Sequence, residues 1–246
     1  MRECIILAGG LGKRMENDLP KWVTPIGKDT TIAQYQLEWL VKNGVKQVFV
    51  TVNRQFWLPN MNWVTIIPRN LRVSVNLQFT IEEEPIGDEA GLKRALGWFK
   101  EDIVEEDILV VNCDILTDLD LSLLPTAPAL VVVHPRSPWG VLEETTTRPG
   151  KQVAETIYEY TGPEVTTYSL QEKPILPILV SSGIYYFSKS IKNELVDNGM
   201  LAENIIPKLM KKGRLNIYKH DGLWHAIETP KDLEEASRIL DERDLP

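Results

Sequence analysis

Ile5-Ile6-Leu7-Ala8-Gly9-Gly10-Leu11-Gly12-Lys13-Arg14-Met15, followed closely by Pro20-Lys21, is the stretch on which the fold turns. The five apolar residues Cys4 to Ala8 predict a strand buried on both faces, as in a sheet covered by helices. A glycine-rich turn follows and opens straight into two cations. Gly9, Gly10 and Gly12 reach backbone angles closed to other residues and have no side chain to block a ligand. Successive N–H groups in such a turn form a concavity for anions, and Arg14 and Lys21 add full positive charges around it. The chemistry that uses this arrangement is the binding and rearrangement of phosphate groups. The plain alternative is a tight connection with no ligand. A dinucleotide-binding G-x-G-x-x-G is a poor match because Met15 stands at the third glycine, and no Gly-Lys-Ser/Thr closes the turn as in phosphate-loop NTPases.

Outward from this stretch, Thr31 with Gln34 reads as a capping box, and Ile32, Tyr35, Trp39 and Leu40 recur at helical spacing until Asn43-Gly44. Val48 to Val52 is a second buried strand, so the order strand–loop–helix–strand predicts a parallel sheet. Residues 54–70 lack periodicity and read as irregular or a short helix, whereas Val73 to Phe79 alternates and predicts a strand. Asp88 is expected to cap a helix through Leu92, Ala95, Leu96 and Phe99. Ile108 to Asp114 is a buried strand ending in a carboxylate, on the rim where open α/β sheets bind ligands. Asp114 either caps the next turn or holds magnesium, a hard cation that prefers carboxylate and phosphate oxygens.

The second half adds short strands at Ala129–Val133 and Trp139–Leu142, with an expected hairpin of Val153–Tyr158 and Val165–Leu170 around Gly162-Pro163. Ser182–Phe187 and Leu215–Tyr218 are further strands, and Ile205, Ile206, Leu209 and Met210 form a short helix. After Trp224–Ile227, Thr229-Pro230 starts a final helix. No repeat or linker divides the chain.

The 246 residues fit one large α/β domain, and 43% hydrophobic with 25% charged residues is ordinary for a soluble protein. With 27 basic against 35 acidic residues the net charge is −8, which argues against a nucleic-acid partner. Cys4 and Cys113 fall in apolar strands and read as buried free thiols of a reducing compartment. The N-terminal apolar run is too short for a signal peptide or membrane span, so a cytoplasmic location is expected. Trp57 and Trp63 either mark a homo-oligomer interface or pack beneath the irregular segment.

Leu-Ala-Gly-Gly-x-Gly-x-Arg-Met followed by Pro-Lys resembles the signature of the sugar-phosphate nucleotidyltransferases, the NDP-sugar pyrophosphorylases of the mannose-1-phosphate guanylyltransferase and glucose-1-phosphate thymidylyltransferase types. The resemblance covers nearly the whole chain. It implies a Rossmann-like (GT-A-like) α/β fold: a mostly parallel mixed sheet flanked by helices in a single domain. A nucleotide-binding half would run over about residues 1–125 and a sugar-phosphate-binding half over about residues 126–246. Leu7, Ala8, Gly9, Gly10, Gly12 and Lys13 would hold the nucleotide, with Glu84, Gly87 and Asp88 near its base. Glu84-Pro85-Ile86-Gly87 is similar to the family's Glu-x-Pro-Leu-Gly, and Val111-Asn112-Cys113-Asp114 to Val-x-Gly-Asp, whose aspartate binds Mg2+. Gly140, Glu172 and Gly183 would meet the sugar, and Lys173 of Glu172-Lys173-Pro174 its phosphate. The activity implied is transfer from an NTP to a sugar 1-phosphate, with Arg14, Lys21 and Lys173 as catalytic groups. A sugar phosphate is already ionised, so His134, His220 and His225 need no catalytic role and read as structural or surface residues.

The sequence departs from that family twice. Ala226 stands where the closing motif has its second metal-ligand aspartate. Glu228, two residues on, either substitutes for it or favours the dipole of the last helix. After Gly87 the family's Thr-Ala-Gly becomes Asp88-Glu89-Ala90-Gly91, whose carboxylates either cap the helix or read guanine's N–H edge. The rival functions are a catalytically weak regulatory paralogue and a cytidylyltransferase acting on a non-sugar phosphate.

Overall fold

The computed structural model describes residues 3–10, 12, 15, 19–54, 67–84, 87–99, 107–148, 150–154, 157–160 and 162–243. In chain order they form β1 (Glu3–Ala8), β2 (Pro25–Ile26), β3 (Thr30–Thr31), α1 (Ile32–Lys42), β4 (Gln47–Asn53), α2 (Arg69–Ser74) and β5 (Asn76–Glu82). There follow α3 (Asp88–Leu96), β6 (Asp107–Asn112), β7 (Ile115–Thr117), β8 (Ala129–Val133), β9 (Val141–Thr147), β10 (Gly150–Ala154), β11 (Ile157–Tyr160) and β12 (Val165–Gln171). The chain continues through β13 (Val180–Ser188), α4 (Ile205–Lys211), β14 (Asn216–Lys219), β15 (Trp224–Ala226) and α5 (Pro230–Arg243).

A seven-stranded sheet has the order β14-β8-β13-β6-β1-β4-β5. β1 pairs in parallel with both β4 and β6, and β4 with β5, while β13 runs antiparallel to β6. The expected mostly parallel mixed sheet is therefore present. Successive residues of β1 supply opposite cores, which is why the whole run is apolar. Cys4 and Ile6 join one cluster with Leu37 and Leu40 of α1 and Ala236 of α5. Ile5 and Leu7 join the other with Leu92 of α3 and Leu209 of α4.

The helix ends follow from their sequence. Thr31 Oγ1 accepts from Gln34 N–H at 3.1 Å, but the Gln34 amide turns to Glu38 at 3.0 Å, so half of the expected capping box forms. At the other end Gly44 takes φ +79°, and the N–H groups of Gly44 and Val45 close on the carbonyls of Val41 and Leu40. Thr229 N–H donates to Asp232 Oδ2 at 2.8 Å, and Pro230 opens α5.

Two expectations are corrected. Val73 and Ser74 lie in α2, launched after Pro68, and the strand starts only at Asn76; Val73 is 77% exposed, so its apolar character was no sign of a buried strand face. Val165–Gln171 pairs with Val141–Thr147 rather than with Val153–Tyr158, which itself spans the β10–β11 hairpin. The short helix expected around Ile205, Ile206, Leu209 and Met210 is present as α4.

The chain divides into two compact units, Met1–Val133 with Ser181–Pro246, and His134–Val180. The first holds the sheet core; the second holds the β9–β12 ribbon and the β10–β11 hairpin. No helix among the described residues is long and apolar enough to cross a membrane.

Candidate active site

From β1 the chain moves outward through β4 to β5, then returns to place β6 on the other side of β1. That reversal leaves a crevice beyond the carboxyl ends of β1 and β6, the switch point at which open α/β sheets take ligands. A cleft of about 460 Å³ lies there, lined by Gly9, Gly10 and Gly12 of the turn and by Lys21 and Asp114. Leu7, Gly87 and Asp88, also expected at the nucleotide, line it too. Gly12 takes φ +56°, the left-handed angle that the turn requires.

Lys21 Nζ and Asp114 Oδ2 meet at 2.7 Å, each side chain mostly shielded from solvent. Their placement depends on a buried clamp that sequence reasoning missed. Trp22, 1% exposed, follows Lys21 and donates its indole N–H to Gln36 Oε1 at 2.9 Å. The Gln36 amide donates to the carbonyls of Asn112 at 2.8 Å and Ile115 at 3.0 Å, which bracket Asp114. One side chain of α1 thus fixes both the lysine and the turn that carries the acid. The Asp114 carbonyl accepts from Ile227 N–H at 2.8 Å, tying the same turn to the chain after β15. Cys113 also lines the cleft, with its thiol pushed up to about 12 by burial and then by the neighbouring Asp114, so it is a neutral wall group.

Glu82, at the end of β5, is a second residue missed in the sequence. It is 3% exposed yet lines the cleft. Its carboxylate sits where side chains at Gly9 and Gly91 would stand: a Cβ there would lie 2.2 Å from Oε2 and 2.6 Å from Oε1, respectively. Burial raises its pKa, against the opposing pull of Arg94 and a hydrogen bond with Thr51.

Asp88 is not the expected cap. Gly87, at φ +90°, is the N-cap of α3, and Asp88 is the first helical residue, its Oδ1 accepting from Leu201 N–H at 2.7 Å. Glu89 is wholly buried, and its Oε1 accepts from Val196 N–H at 3.1 Å. Both carboxylates are engaged with the 196–201 segment.

The other expected residues are distributed as follows. Ala8 packs against a core cluster and donates its N–H to Thr51 Oγ1, while Glu84 is exposed beyond β5. Gly183, at φ +77°, leaves room for Asn112, whose Nδ2 would be 2.8 Å from a Cβ there. Glu228 is exposed past the end of β15, so strand alternation from Ala226 does not extend to it, and its N–H donates to Asp232 Oδ2. In the second unit a Cβ on Gly140 would lie 3.3 Å from Glu172 Oε2, so these two expected sugar-site residues are neighbours. Lys173 takes φ +46°, a left-handed backbone uncommon for a residue with a side chain. Lys13 and Arg14, with Trp57 and Trp63, lie outside the described residues. The three histidines hold backbone carbonyls: His134 that of Ile178, His220 that of Leu223 and His225 that of Asp232.

A family model described as nucleotidyl transferase matches residues 3–243. D-glycero-alpha-D-manno-heptose 1-phosphate guanylyltransferase of Campylobacter jejuni is 30% identical over 125 residues, 50% of this chain and 52% of that protein. Mannose-1-phosphate guanyltransferase of Yarrowia lipolytica is 26% identical over 246 residues, 93% of this chain and 61% of that protein. The chain therefore spans between 52% and 61% of the length of these two relatives. The crystal structure of HddC from Yersinia pseudotuberculosis superposes with TM-score 0.67 at 22% identity, covering 98% of this chain and 100% of that one, a likeness of fold.

Proposed function

Because the chain belongs to the nucleotidyl transferase family, we propose that it transfers the nucleotidyl group of an NTP to a sugar 1-phosphate. The observation that carries the reading is the meeting of Lys21 and Asp114 at 2.7 Å in a cleft walled by the glycine turn. A polyanion entering that cleft gives Lys21 a partner of higher charge than Asp114. A phosphate oxygen of the sugar phosphate attacks the α-phosphorus; that bond forms as the bond to the bridging oxygen breaks, and pyrophosphate leaves. Lys21 neutralises the α-phosphate and Arg14 the leaving pyrophosphate. Positioning and charge neutralisation supply the rate, and no general base is required because the nucleophile is ionised.

Asp114 fits a divalent cation: its Oδ1 is buried and has no hydrogen-bond partner among the described residues. Asp114 would hold a Mg2+ ion there, which would supply screening of the triphosphate charge.

For the base, Glu82 is the better guanine reader than Asp88, because Leu201 already occupies Asp88. A carboxylate accepts from guanine N1–H and the 2-amino group together, and the two curated relatives above are guanylyltransferases. The sugar follows theirs, mannose or a manno-configured heptose. Ala226, which offers no oxygen to a metal, favours a second reading as a weakly catalytic nucleotide-binding paralogue. One assay decides between them. Pyrophosphate release is followed with Mg2+ and GTP, dTTP, UTP or CTP against mannose, manno-heptose and glucose 1-phosphates. Release with GTP and a manno-configured sugar is expected; no release from any pair overturns the enzyme reading and leaves the binder.

A further inference from the structure

Asp114 and Asn112 both line the cleft, and each has a buried Oδ1 that lacks a hydrogen-bond partner among the described residues. Native proteins satisfy buried polar atoms, so an acceptor left bare in a cleft points to a partner that arrives with the ligand. Lys21 engages Oδ2 of Asp114 and leaves Oδ1. Asn112 ends β6, two residues before Asp114, and its backbone carbonyl is already bound by Gln36. Its amide nitrogen lies on the side of Gly183, where the absent side chain makes room for it.

Both bare atoms are hard oxygens of the kind a magnesium-sized cation takes. Such a cation is ordinarily held by one or two protein oxygens, waters and substrate phosphates. No group of three or more His, Cys, Asp and Glu side chains suited to a metal occurs among the described residues. Ala226 has no donor and Glu228 lies beyond β15. We propose that Asn112 Oδ1 is the second protein ligand of the divalent cation, beside Asp114 Oδ1, and makes up for the missing donor at Ala226. The proposal rests on the reading of Asp114 as a cation ligand. An amide in place of a carboxylate removes one negative charge from the site. The cation is then held weakly by the protein alone and firmly once triphosphate oxygens complete its shell.

Mn2+ is the probe, its free concentration read by electron paramagnetic resonance with the full chain and guanosine 5′-(α,β-methylene)triphosphate, which cannot turn over. Asn112→Ala should weaken Mn2+ binding to the nucleotide complex at least fivefold, and Asn112→Asp should tighten it by a comparable factor. Affinity for the analogue in EDTA should stay within twofold for Asn112→Ala. A residue that only props Gly183 would show no such opposite responses. If Asn112→Ala binds Mn2+ like the parent while Asp114→Asn loses it, Asn112 is not a ligand and the Asp114 reading stands. If Asp114→Asn also binds Mn2+ like the parent, the cation reading of Asp114 falls and this proposal with it.

Discussion

At Glu82 a carboxylate with 3% exposure is held between Gly9 and Gly91, and burial raises its pKa. A folded pKa above the unfolded one means that the native state binds the proton more tightly, so charging this group costs stability. The cost is absent below the ordinary glutamate value, grows as the pH rises through it, and is complete above the folded value. Glu82→Gln should therefore be more stable than the parent at pH 7 in urea denaturation, with the difference vanishing in mild acid. Loss of the charged acceptor should also lower kcat/KM for GTP about 10–100-fold, from about 1.5–3 kcal/mol for a hydrogen bond to a charged group, and leave UTP little changed. Equal losses for both nucleotides would contradict base reading. Lys21→Met should lower kcat about 10²–10³-fold, as expected for removing one preorganised charge from the reacting phosphate. A stopped-time pyrophosphate assay at saturating substrates reads this directly. Lys21 and Asp114 were legible because each closes or follows a sequence motif at a strand end. Glu82 was not, since three glutamates in a row look alike until the sheet brings one of them to Gly9.

Among the elements, α1 contributes more than an apolar face. Gln36 is 1% exposed in the middle of that face and spans from Trp22 to both carbonyls around Asp114. Gln36→Leu keeps the volume and removes every one of those bonds, leaving buried carbonyls bare at about 1–3 kcal/mol each. The variant should lose stability in chemical denaturation and should lose kcat more than KM, because the shifted turn carries Asp114. Unchanged kcat in a folded protein would show that the clamp does not position the acid. Helical periodicity located α1, and Asn43-Gly44 located its end, because caps and faces are local properties. The partner of a buried glutamine 76 residues away is not local. The same limit explains the β9–β12 ribbon, whose strand Val141–Thr147 carries Glu143, Glu144 and three threonines, and so shows no apolar alternation. Around α2 an alternating stretch failed for a different reason. Val73-Ser74-Val75 has the period of a strand, but Pro68 starts a helix that carries through Ser74 before the chain joins the sheet edge.

For the molecule as a whole, the net charge is −8, and the substrates proposed for it are polyanions. Binding must therefore draw on local charge, and the Lys21 ammonium is paired with Asp114. A nucleotide that takes Lys21 away leaves the Asp114 carboxylate facing phosphate oxygens, a repulsion that only a cation relieves. Nucleotide and Mg2+ should consequently bind with positive coupling, each raising the affinity for the other. Thermal unfolding tests this without turnover. GTP with Mg2+ at about 100 times its Kd should stabilise the fold by about 2.7 kcal/mol, which for a chain of this size would raise Tm by about 5–10 °C. GTP in EDTA, or Mg2+ without nucleotide, should raise Tm by much less, and their separate shifts should sum to less than the joint one. In Asp114→Asn the carboxylate that needs the cation is gone, so GTP in EDTA should stabilise that variant more than it stabilises the parent. Equal shifts in the two proteins would mean that the Lys21–Asp114 pair does not stand in the path of the nucleotide.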